Sequence, residues 1–488
     1  MLWVVVASLI CIALAAVCVR HYIDIARSCP GPMSWPLVGA IPFMDKTGVG
    51  ALLDEQLRKY GKIARVDLGR LRFFVINDFG TAKDLFNRDI TSNRPVSWLH
   101  KYLKGFNGKI CGIIHASGAT WREQRRFALK NLRDFGFGRK SLDHVIHEEA
   151  QLLIKSLLEE HWTHGDILIG TTFNAPVVNV LWQVVASTRF DPNAQKTKDM
   201  MEKLTERFKA GLTWSSAFPF LNRYLPLSKF NQDLLDFKAM IRKEVIAHEQ
   251  DHDPDLPPRD FMDVYISEIS SQTHPESSNF HREQLVTICT DFFQAGSETS
   301  STTLAWCVLY MALNPEVQSR CSSEIQDTIG ATNPTLDDIN RLVYTRATVM
   351  EVQRISVTAP GSLLHITSED IHMEGFVIPK KSIMIANQKS FLMDECVWPN
   401  PEAFMPDRFI GANGKIVKPE QFVPFGIGPR ICMGESLAKS EIFIFFVMLL
   451  QHLQISSSKT YGPPNPKNLT TGITTIPDPF HVHIEPRT

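Results

Sequence analysis

Residues 425–434 read FGIGPRICMG, and this run is the most informative feature of the chain. It places Cys432 after two glycines and an arginine, directly before an amphipathic helical pattern. Glycine permits a sharp turn and a close approach of the backbone to a flat ligand. A cationic neighbour and a helix start both favour a thiolate. An isolated cysteine is more often a packed core residue, but the ten-residue context predicts that Cys432 is a metal ligand.

The run matches Phe-x-x-Gly-x-Arg-x-Cys-x-Gly at every fixed position, and on this motif the chain resembles the cytochrome P-450 family. The resemblance covers nearly the whole chain. It is closest to animal microsomal members, in the group of vertebrate drug- and steroid-oxidising and arthropod hormone-metabolising enzymes. It implies a mainly α fold with a minor β region, and haem b as the cofactor with Cys432 as the iron ligand. The other haem contacts that it implies are Trp121, Arg125, His365, Phe425, Gly426, Gly428 and Arg430.

Composition agrees with a large enzyme. The chain has 488 residues, 44% of them hydrophobic, and 51 basic side chains nearly balance 52 acidic ones. This balance gives no indication of a nucleic-acid partner. The nine cysteines include no Cys-x-x-Cys pair, which is typical of a reduced, cytosol-facing protein.

The N-terminus carries a targeting signal. Residues 2–19 form an uncharged apolar run long enough to span a bilayer, and Arg20, His21 and Arg27 follow it. We therefore expect a transmembrane anchor at 2–19, a basic and proline-rich hinge at 20–42 and one haem-containing catalytic domain at 43–488. The expected location is the endoplasmic reticulum membrane, with the catalytic domain facing the cytoplasm. A cleaved secretory signal is the alternative.

Helical patterns dominate from about residue 141 to residue 342. Short strand-like runs cluster in two places, at 63–75 and at 364–386. The pattern predicts an α-rich body with a minor β region.

A second chemical motif lies in a long apolar segment, where residues 291–300 read DFFQAGSETS. Gly296 costs about 1 kcal/mol in a helix interior, and the Thr299 hydroxyl competes for the carbonyl of Ala295, so we expect a local bulge. The resemblance implies that Thr299 hydrogen-bonds oxygen during its activation, while Glu298 and ordered water deliver protons. These two are the candidate catalytic residues. An exposed polar helix face is the alternative reading.

Glu351 and Arg354 lie three residues apart and share a helical face. They resemble the family's helix pair that locks with an arginine from a later segment, here Arg408. We assign this triad to structure.

Electrons must come from another protein, because Gly426-x-Gly428 lacks the third glycine of a dinucleotide fingerprint. The resemblance implies an NADPH-dependent flavin reductase, with a small haem electron carrier as an additional donor. A basic face for docking such a partner is predicted from eight residues. They are Arg122, Arg125, Arg126, Lys130, Arg133, Arg139, Lys140 and Lys439.

The expected reaction inserts one atom of dioxygen into a lipophilic small molecule, by hydroxylation or epoxidation of a steroid, sesquiterpenoid, fatty acid or xenobiotic. The segments expected to line the pocket are 98–114, 204–227, 292–299 and 358–364, which are rich in Phe, Trp and Leu. An apolar lip within 214–225 and membrane lipid would give such substrates a path inward. The alternatives are an isomerase or dehydratase that needs no reductase, a non-enzymatic haem sensor, and a carrier without haem.

Overall fold

The computed structural model describes residues 2–43, 52–53, 55–69, 71–210, 229–274 and 278–487. Its centre is a helix of 32 residues, Arg282–Leu313, whose side chains are almost all buried. The His281 side chain accepts a hydrogen bond from the Gln284 N–H at its start, and Pro315 follows its end. At 1.5 Å per residue the helix is about 48 Å long, so it crosses the whole core.

The helices are α1 (Leu2–Ala26), α2 (Phe79–Asn87), α3 (Trp98–Lys104), α4 (Gly118–Asp134), α5 (Asp143–His164), α6 (Asn174–Ala186), α7 (Gln195–Ala210), α8 (Lys229–Asp251), α9 (Phe261–Ser270), α10 (Arg282–Leu313), α11 (Pro315–Thr328), α12 (Val343–Ser356), α13 (Gln388–Leu392) and α14 (Glu435–His452). The central α10 packs against α6, α8, α12 and α14. Its apolar positions face neighbours on every side, which explains why its sequence lacks a polar face.

The strands are β1 (Ile63–Leu68), β2 (Leu71–Ile76), β3 (Gly105–Phe106), β4 (Lys109–Ile110), β5 (Ile167–Ile169), β6 (His365–Ile366), β7 (Ile371–Met373), β8 (Phe376–Ile378), β9 (Ile383–Ala386), β10 (Leu453–Ser457), β11 (Leu469–Thr471), β12 (Thr475–Pro477) and β13 (Phe480–Pro486). A four-stranded sheet has the order β1-β2-β9-β6, with β2 and β9 parallel and the other pairs antiparallel. A second sheet has the order β10-β13-β5.

The mainly α fold with a minor β region is confirmed, and so are both predicted groups of strands. The expectation of only two groups is wrong, because β3 and β4 pair between them in the sequence, β10–β13 lie near the C-terminus and β5 lies within the predicted helical region. Strand β5 has three residues and pairs with β13 far along the chain. So short a run has no clear period of its own, and its pairing is tertiary.

The N-terminal helix α1 is exposed along its length, and residues 3–26 have a mean hydropathy of 2.4, enough to cross a membrane. It continues seven residues past the predicted end of the anchor at residue 19. The following proline-rich segment is not helical, as predicted, and it packs on β1. There the Arg65 N–H donates to the carbonyl of Pro30, and Cys29 is buried. The three domain boundaries stay predictions.

The predicted structural triad is confirmed. Nε and Nη2 of Arg354 donate to the Glu351 carboxylate, at 2.7 and 2.8 Å. Nε of Arg408 donates to the same carboxylate at 3.0 Å. Glu351 and Arg354 are fully buried. The Arg354 guanidinium also donates to the carbonyls of Leu392 and Pro401, so the triad ties α12 to the segment before the cysteine loop.

We expect Arg354→Met to lower the free energy of unfolding by about 3 to 5 kcal/mol, because it leaves the buried Glu351 charge without its main partner. Urea unfolding followed by circular dichroism measures the change. Arg88→Met is the control, since Arg88 forms an exposed pair with Asp84, and it should cost about 0 to 1 kcal/mol. Equal losses in the two variants would contradict the structural role.

Helix α14 carries an acid in the core. Glu441 is 2% exposed and its Oε1 has no hydrogen-bond partner among the described residues. Burial raises the pKa of Glu441 to about 8, although the Ser300 hydroxyl on α10 opposes the shift. The side chain is therefore protonated in the folded protein at neutral pH.

A carboxyl whose pKa is raised by folding destabilises the folded protein as the pH rises from its unfolded value toward its folded value. Glu441→Gln removes this titration, so the variant should gain stability over the wild type between pH 5 and pH 8. The gain is up to about 1.4 kcal/mol for each pH unit. Urea unfolding at several pH values measures it, and Glu435→Gln on the same helix is the control. Parallel stability curves for wild type and Glu441→Gln would refute the buried neutral acid.

Candidate functional site

The cysteine loop is a tight turn between the core and α14. Residues Gly428–Arg430 form one turn of 3-10 helix, and the Cys432 N–H donates to the carbonyl of Phe425 at 2.9 Å. Gly426 and Gly428 have φ values of 88° and 75°. A Cβ at Gly428 would lie 2.2 Å from the carbonyl oxygen of Phe86 on α2. The conformation and the close approach both require glycine at 428.

The Cys432 thiol is accessible, although dense surrounding protein raises its pKa by burial. The backbone N–H groups of Gly434 and Glu435 and the charge of Arg125 act against the shift, while the Glu435 carboxylate adds to it. These N–H groups begin α14, so the helix start supports an anionic sulfur as the sequence predicted.

Arg430 and Arg125 hold this loop from two sides. The Arg430 guanidinium donates to the carbonyls of Ser92, Ile113 and Ala116 at 2.8, 3.2 and 2.6 Å. It also lies 3.7 Å from the ring centre of Trp121. Arg125 donates to the carbonyl of Ile431, next to the cysteine, at 2.6 Å. Burial and the charges of nearby arginines lower the pKa of Arg430.

The structure adds Arg94, which the sequence reasoning missed. Its buried guanidinium donates to the carbonyls of Ile114, Leu363 and Leu364. His365 lies beside it and hydrogen-bonds the carbonyl of Thr91 through Nδ1 at 2.7 Å. Burial and the positive charge of Arg94 lower the pKa of His365 well below its usual value. The only local sequence feature at Arg94 is the proline that follows it, in Asn93-Arg94-Pro95. An arginine before a proline is too common to predict a cofactor contact.

The donor set fits haem. Arg94, Arg125 and Arg430 form no ion pair in the part of the chain that the structure describes, and their described side-chain hydrogen bonds end on backbone carbonyls. The buried Trp121 Nε1 has no hydrogen-bond partner among the described residues. Such a cluster lacks anions, and a flat cofactor with two carboxylates supplies them. A Cβ at Gly426 would meet only Gln388, at 3.7 Å, which leaves room for a close ligand.

The middle of α10 opens on one face. Ala295 is exposed and Thr299 is half-buried, within a helix that is otherwise buried. The Thr299 hydroxyl donates to the carbonyl of Ala295 at 2.8 Å, as predicted. The expected bulge is absent, because residues 282–313 are α-helical throughout. Gly296 serves packing instead, since a Cβ there would lie 2.4 Å from the Leu181 side chain on α6.

Glu298 lies apart from Thr299. Its buried carboxylate accepts hydrogen bonds from Asn174 at 2.9 Å and from Thr205 at 2.8 Å, and a longer one from Thr302 at 3.4 Å. Burial raises the pKa of Glu298, and the Thr205 and Asn174 hydrogen bonds limit the shift. Its described contacts join α10 to α6 and α7. The structure therefore does not bring the two candidate catalytic side chains together.

Most of the predicted basic face is on the surface of α4 and the turn that follows it. Arg126, Lys130, Arg133 and Arg139 are exposed. Arg122 pairs with Asp89, Lys140 with Asp337 and Lys439 with Glu435. Arg125 turns inward, to the carbonyl of Ile431.

The pocket segments are described in part, since residues 211–228 lie outside the described residues. At the N-terminal end of α10, a buried ion pair joins Asp291 to Lys104 of α3 at 2.5 Å. The second oxygen of Asp291 accepts from the N–H groups of Ile113 and Ile114. The pair fixes the loop after α3 against α10.

Comparison with known proteins agrees with this geometry. The sequence model of the family described as Cytochrome P450 matches residues 29–484. Cytochrome P450 2D10 of Mus musculus is 36% identical over 477 residues, which cover 96% of this chain and 94% of that protein. Cytochrome P450 2J3 of Rattus norvegicus is 35% identical, over 89% of this chain and 86% of its own. Cytochrome P450 2U1 of Bos taurus is 34% identical, over 94% and 89%.

We expect Arg94→Met to weaken haem retention, because it removes a buried positive charge that the cofactor carboxylates would neutralise. The rate of haem transfer to an excess of apomyoglobin measures retention, with circular dichroism to verify folding. Arg122→Met is the control, since the Arg122 side chain is exposed and pairs with Asp89. A rate that rises equally in both variants would contradict a role for Arg94 at the cofactor.

Proposed function

This chain belongs to the cytochrome P450 family, and from that premise we propose the details of its reaction. It is a monooxygenase with haem b as its cofactor, and it acts on lipophilic substrates with a redox partner and dioxygen. We propose that it hydroxylates or epoxidises a steroid, sesquiterpenoid, fatty acid or xenobiotic. The electrons would come from an NADPH-dependent flavin reductase, with a small haem electron carrier as an additional donor.

One observation carries the proposal, namely the accessible thiol of Cys432 in a loop held by Arg125 and Arg430. Haem, when bound, supplies the chemistry that activates dioxygen. Cys432 would be its iron ligand, and Arg94, Arg430, Arg125, Trp121 and His365 would hold its carboxylates. Phe425, Gly426 and Gly428 shape the loop that faces it.

Thr299 is the proposed proton donor at the open face of α10. In the structure the Thr299 hydroxyl donates its hydrogen bond to the Ala295 carbonyl. The hydroxyl can rotate toward the exposed face and donate its proton there. One oxygen atom enters the substrate and the other leaves as water, so each turnover consumes two electrons and two protons. Glu298 would relay a proton only after leaving Thr205 or Asn174.

We further propose that α1 anchors the protein in the endoplasmic reticulum membrane, with the catalytic domain in the cytoplasm. The basic residues after the apolar run support this orientation. The exposed Arg126, Lys130, Arg133 and Arg139 would dock the acidic face of the reductase.

The test is reconstitution with NADPH, the reductase and ¹⁸O-labelled dioxygen, with steroids, sesquiterpenoids, fatty acids and drug-like compounds as candidate substrates. We expect one labelled oxygen atom in a product, read by mass spectrometry. Omitting NADPH or the reductase is the control and should abolish the product. A product that forms without them, or that carries no label, would contradict the proposal.

We expect Thr299→Ala to uncouple electron use from product, because the hydroxyl that donates the proton is gone. NADPH consumption should continue while peroxide per NADPH rises and product per NADPH falls severalfold. Thr290→Ala is the matched control, since the buried Thr290 hydroxyl also bonds a carbonyl four residues back, that of Val286. Unchanged coupling in Thr299→Ala would remove Thr299 from the reaction.

A further inference from the structure

A side-chain contact in the core joins the end of α8 to the start of α9. His248 lies in the last turn of α8 and is 7% exposed, and Asp260 is the N-cap of α9 and is fully buried. Nε2 of His248 lies 3.2 Å from Oδ2 of Asp260. The contact therefore closes the connection between the two helices.

Both ring nitrogens of His248 face hydrogen-bond acceptors. Nδ1 lies 3.1 Å from the carbonyl oxygen of Glu244, one turn earlier on α8, and Nε2 faces the carboxylate of Asp260. A neutral imidazole carries a hydrogen on only one nitrogen, so it would leave two acceptors facing each other at the other nitrogen. Because the ring must donate at both nitrogens, the geometry favours the imidazolium form.

The two helix ends favour the same charges. His248 lies at the C-terminal end of α8, where the helix dipole stabilises a cation. Asp260 lies at the N-terminal end of α9, where its Oδ1 accepts the N–H of Asp263 at 3.0 Å and the helix dipole stabilises an anion. Burial opposes the charged ring, but the hydrogen bond and the charge of Asp260 outweigh it and raise the pKa of His248.

Three carboxylates surround this ring among the described residues, and one arginine balances one of them. Polar atoms of His248, Asp260 and Asp263 all lie within 4.8 Å of one another. The Arg259 guanidinium donates to Asp263 at 2.7 and 2.8 Å. Glu244 Oε1 lies 3.8 Å from Nδ1 of His248. The negative charges of Glu244 and Asp260 therefore favour a positive charge on His248.

Three further titratable groups lie near this contact. Cys289 on α10 is under the influence of Asp260, and burial raises the pKa of its thiol well above the usual value, so it stays neutral. Asp251, the last residue of α8, is exposed. His252 lies 3.8 Å from Asp263 and 3.1 Å from the Ser267 hydroxyl, and does not contact Asp260 among the contacts of the described residues. His252 is thus a second imidazole of the same connection.

We propose that His248 and Asp260 form a pH-sensitive clasp that holds α8 against α9 and loosens as the pH rises above neutral. Helix α8 packs on α10 and on α3. It begins at Lys229, two residues after the end of the predicted pocket segment 204–227. The clasp therefore controls how firmly the protein holds a helix that directly follows this segment.

The stability of the clasp decreases with rising pH. Because folding raises the pKa of His248, the contact stabilises the folded protein fully below the ordinary value of 6.5 and loses this effect as the pH rises through the folded value. Each unit by which folding raises the pKa changes the opening equilibrium about tenfold.

The test is hydrogen exchange of the haem-loaded, full-length protein in nanodiscs between pH 6 and pH 9, read by mass spectrometry and corrected for the intrinsic effect of pH on exchange. We expect the protection of amides in residues 244–263 to fall severalfold over this range. In His248→Gln the same amides should be less protected at pH 6, and their protection should no longer depend on this titration.

Asp260→Asn keeps an N-cap side chain but removes the charge, so it should also abolish the pH dependence. His252→Gln is the matched control and should behave as the wild type. Unchanged pH dependence in both His248→Gln and Asp260→Asn, or its loss in His252→Gln, would overturn the clasp. A pH dependence that disappears on addition of EDTA would show that a bound metal ion, and not a proton, joins the pair, and would overturn it as well.

Discussion

Buried positive charge is the constraint on which the site depends. Arg94 is buried, and Arg430 and Arg125 are half-buried. Ionised side chains that lose contact with water in this way are costly without partners. The protein stabilises them with the backbone carbonyls of loops that carry no regular structure. Without the arginines these carbonyls would lack hydrogen-bond donors. The arginines therefore hold the loops in place, and the loop carbonyls stabilise the arginine charges. The carboxylates of haem would match the charge that remains, and the cofactor would then be part of the electrostatic balance of the fold.

The loop of Cys432 is likewise held by contacts to its backbone. Its N–H binds the Phe425 carbonyl, its neighbour Ile431 is bound by Arg125, and Gly428 rests on the Phe86 carbonyl. The thiol is thus held by backbone geometry and stays accessible. Behind it, the Glu351 triad ties α12 to the chain that leads into the loop. A rigid support of this kind is what a metal ligand needs, because a small displacement changes its chemistry.

Helix α10 combines three roles that a single apolar helix does not suggest. Its open face at Ala295 and Thr299 is the proposed site of proton supply, and the buried carboxylate of Glu298 joins the helix to α6 and α7. Its first half gathers Asp291, Gln294 and the cations that contact them. Residues about one turn apart on one helix therefore divide the proposed proton supply, the contact with α6 and α7 and the contacts with buried cations. The same rigid element fixes the distances between them.

Features that are encoded over a few neighbouring residues could be predicted from the sequence alone. The run around Cys432, the start of α14, the β1 and β2 pair, the membrane-length α1 and the Glu351–Arg354 pair follow from local spacing. Arg94 joins the arginine cluster only through tertiary packing, since its partner Leu364 is 270 residues away in the sequence. Tertiary packing also sets the pairing of β5 with β13, the hydrogen bond of Thr205 to Glu298 and the hydrogen bond of Arg207 to Gln294. Local patterns set which face of an element is apolar, but which polar groups meet depends on how distant elements pack.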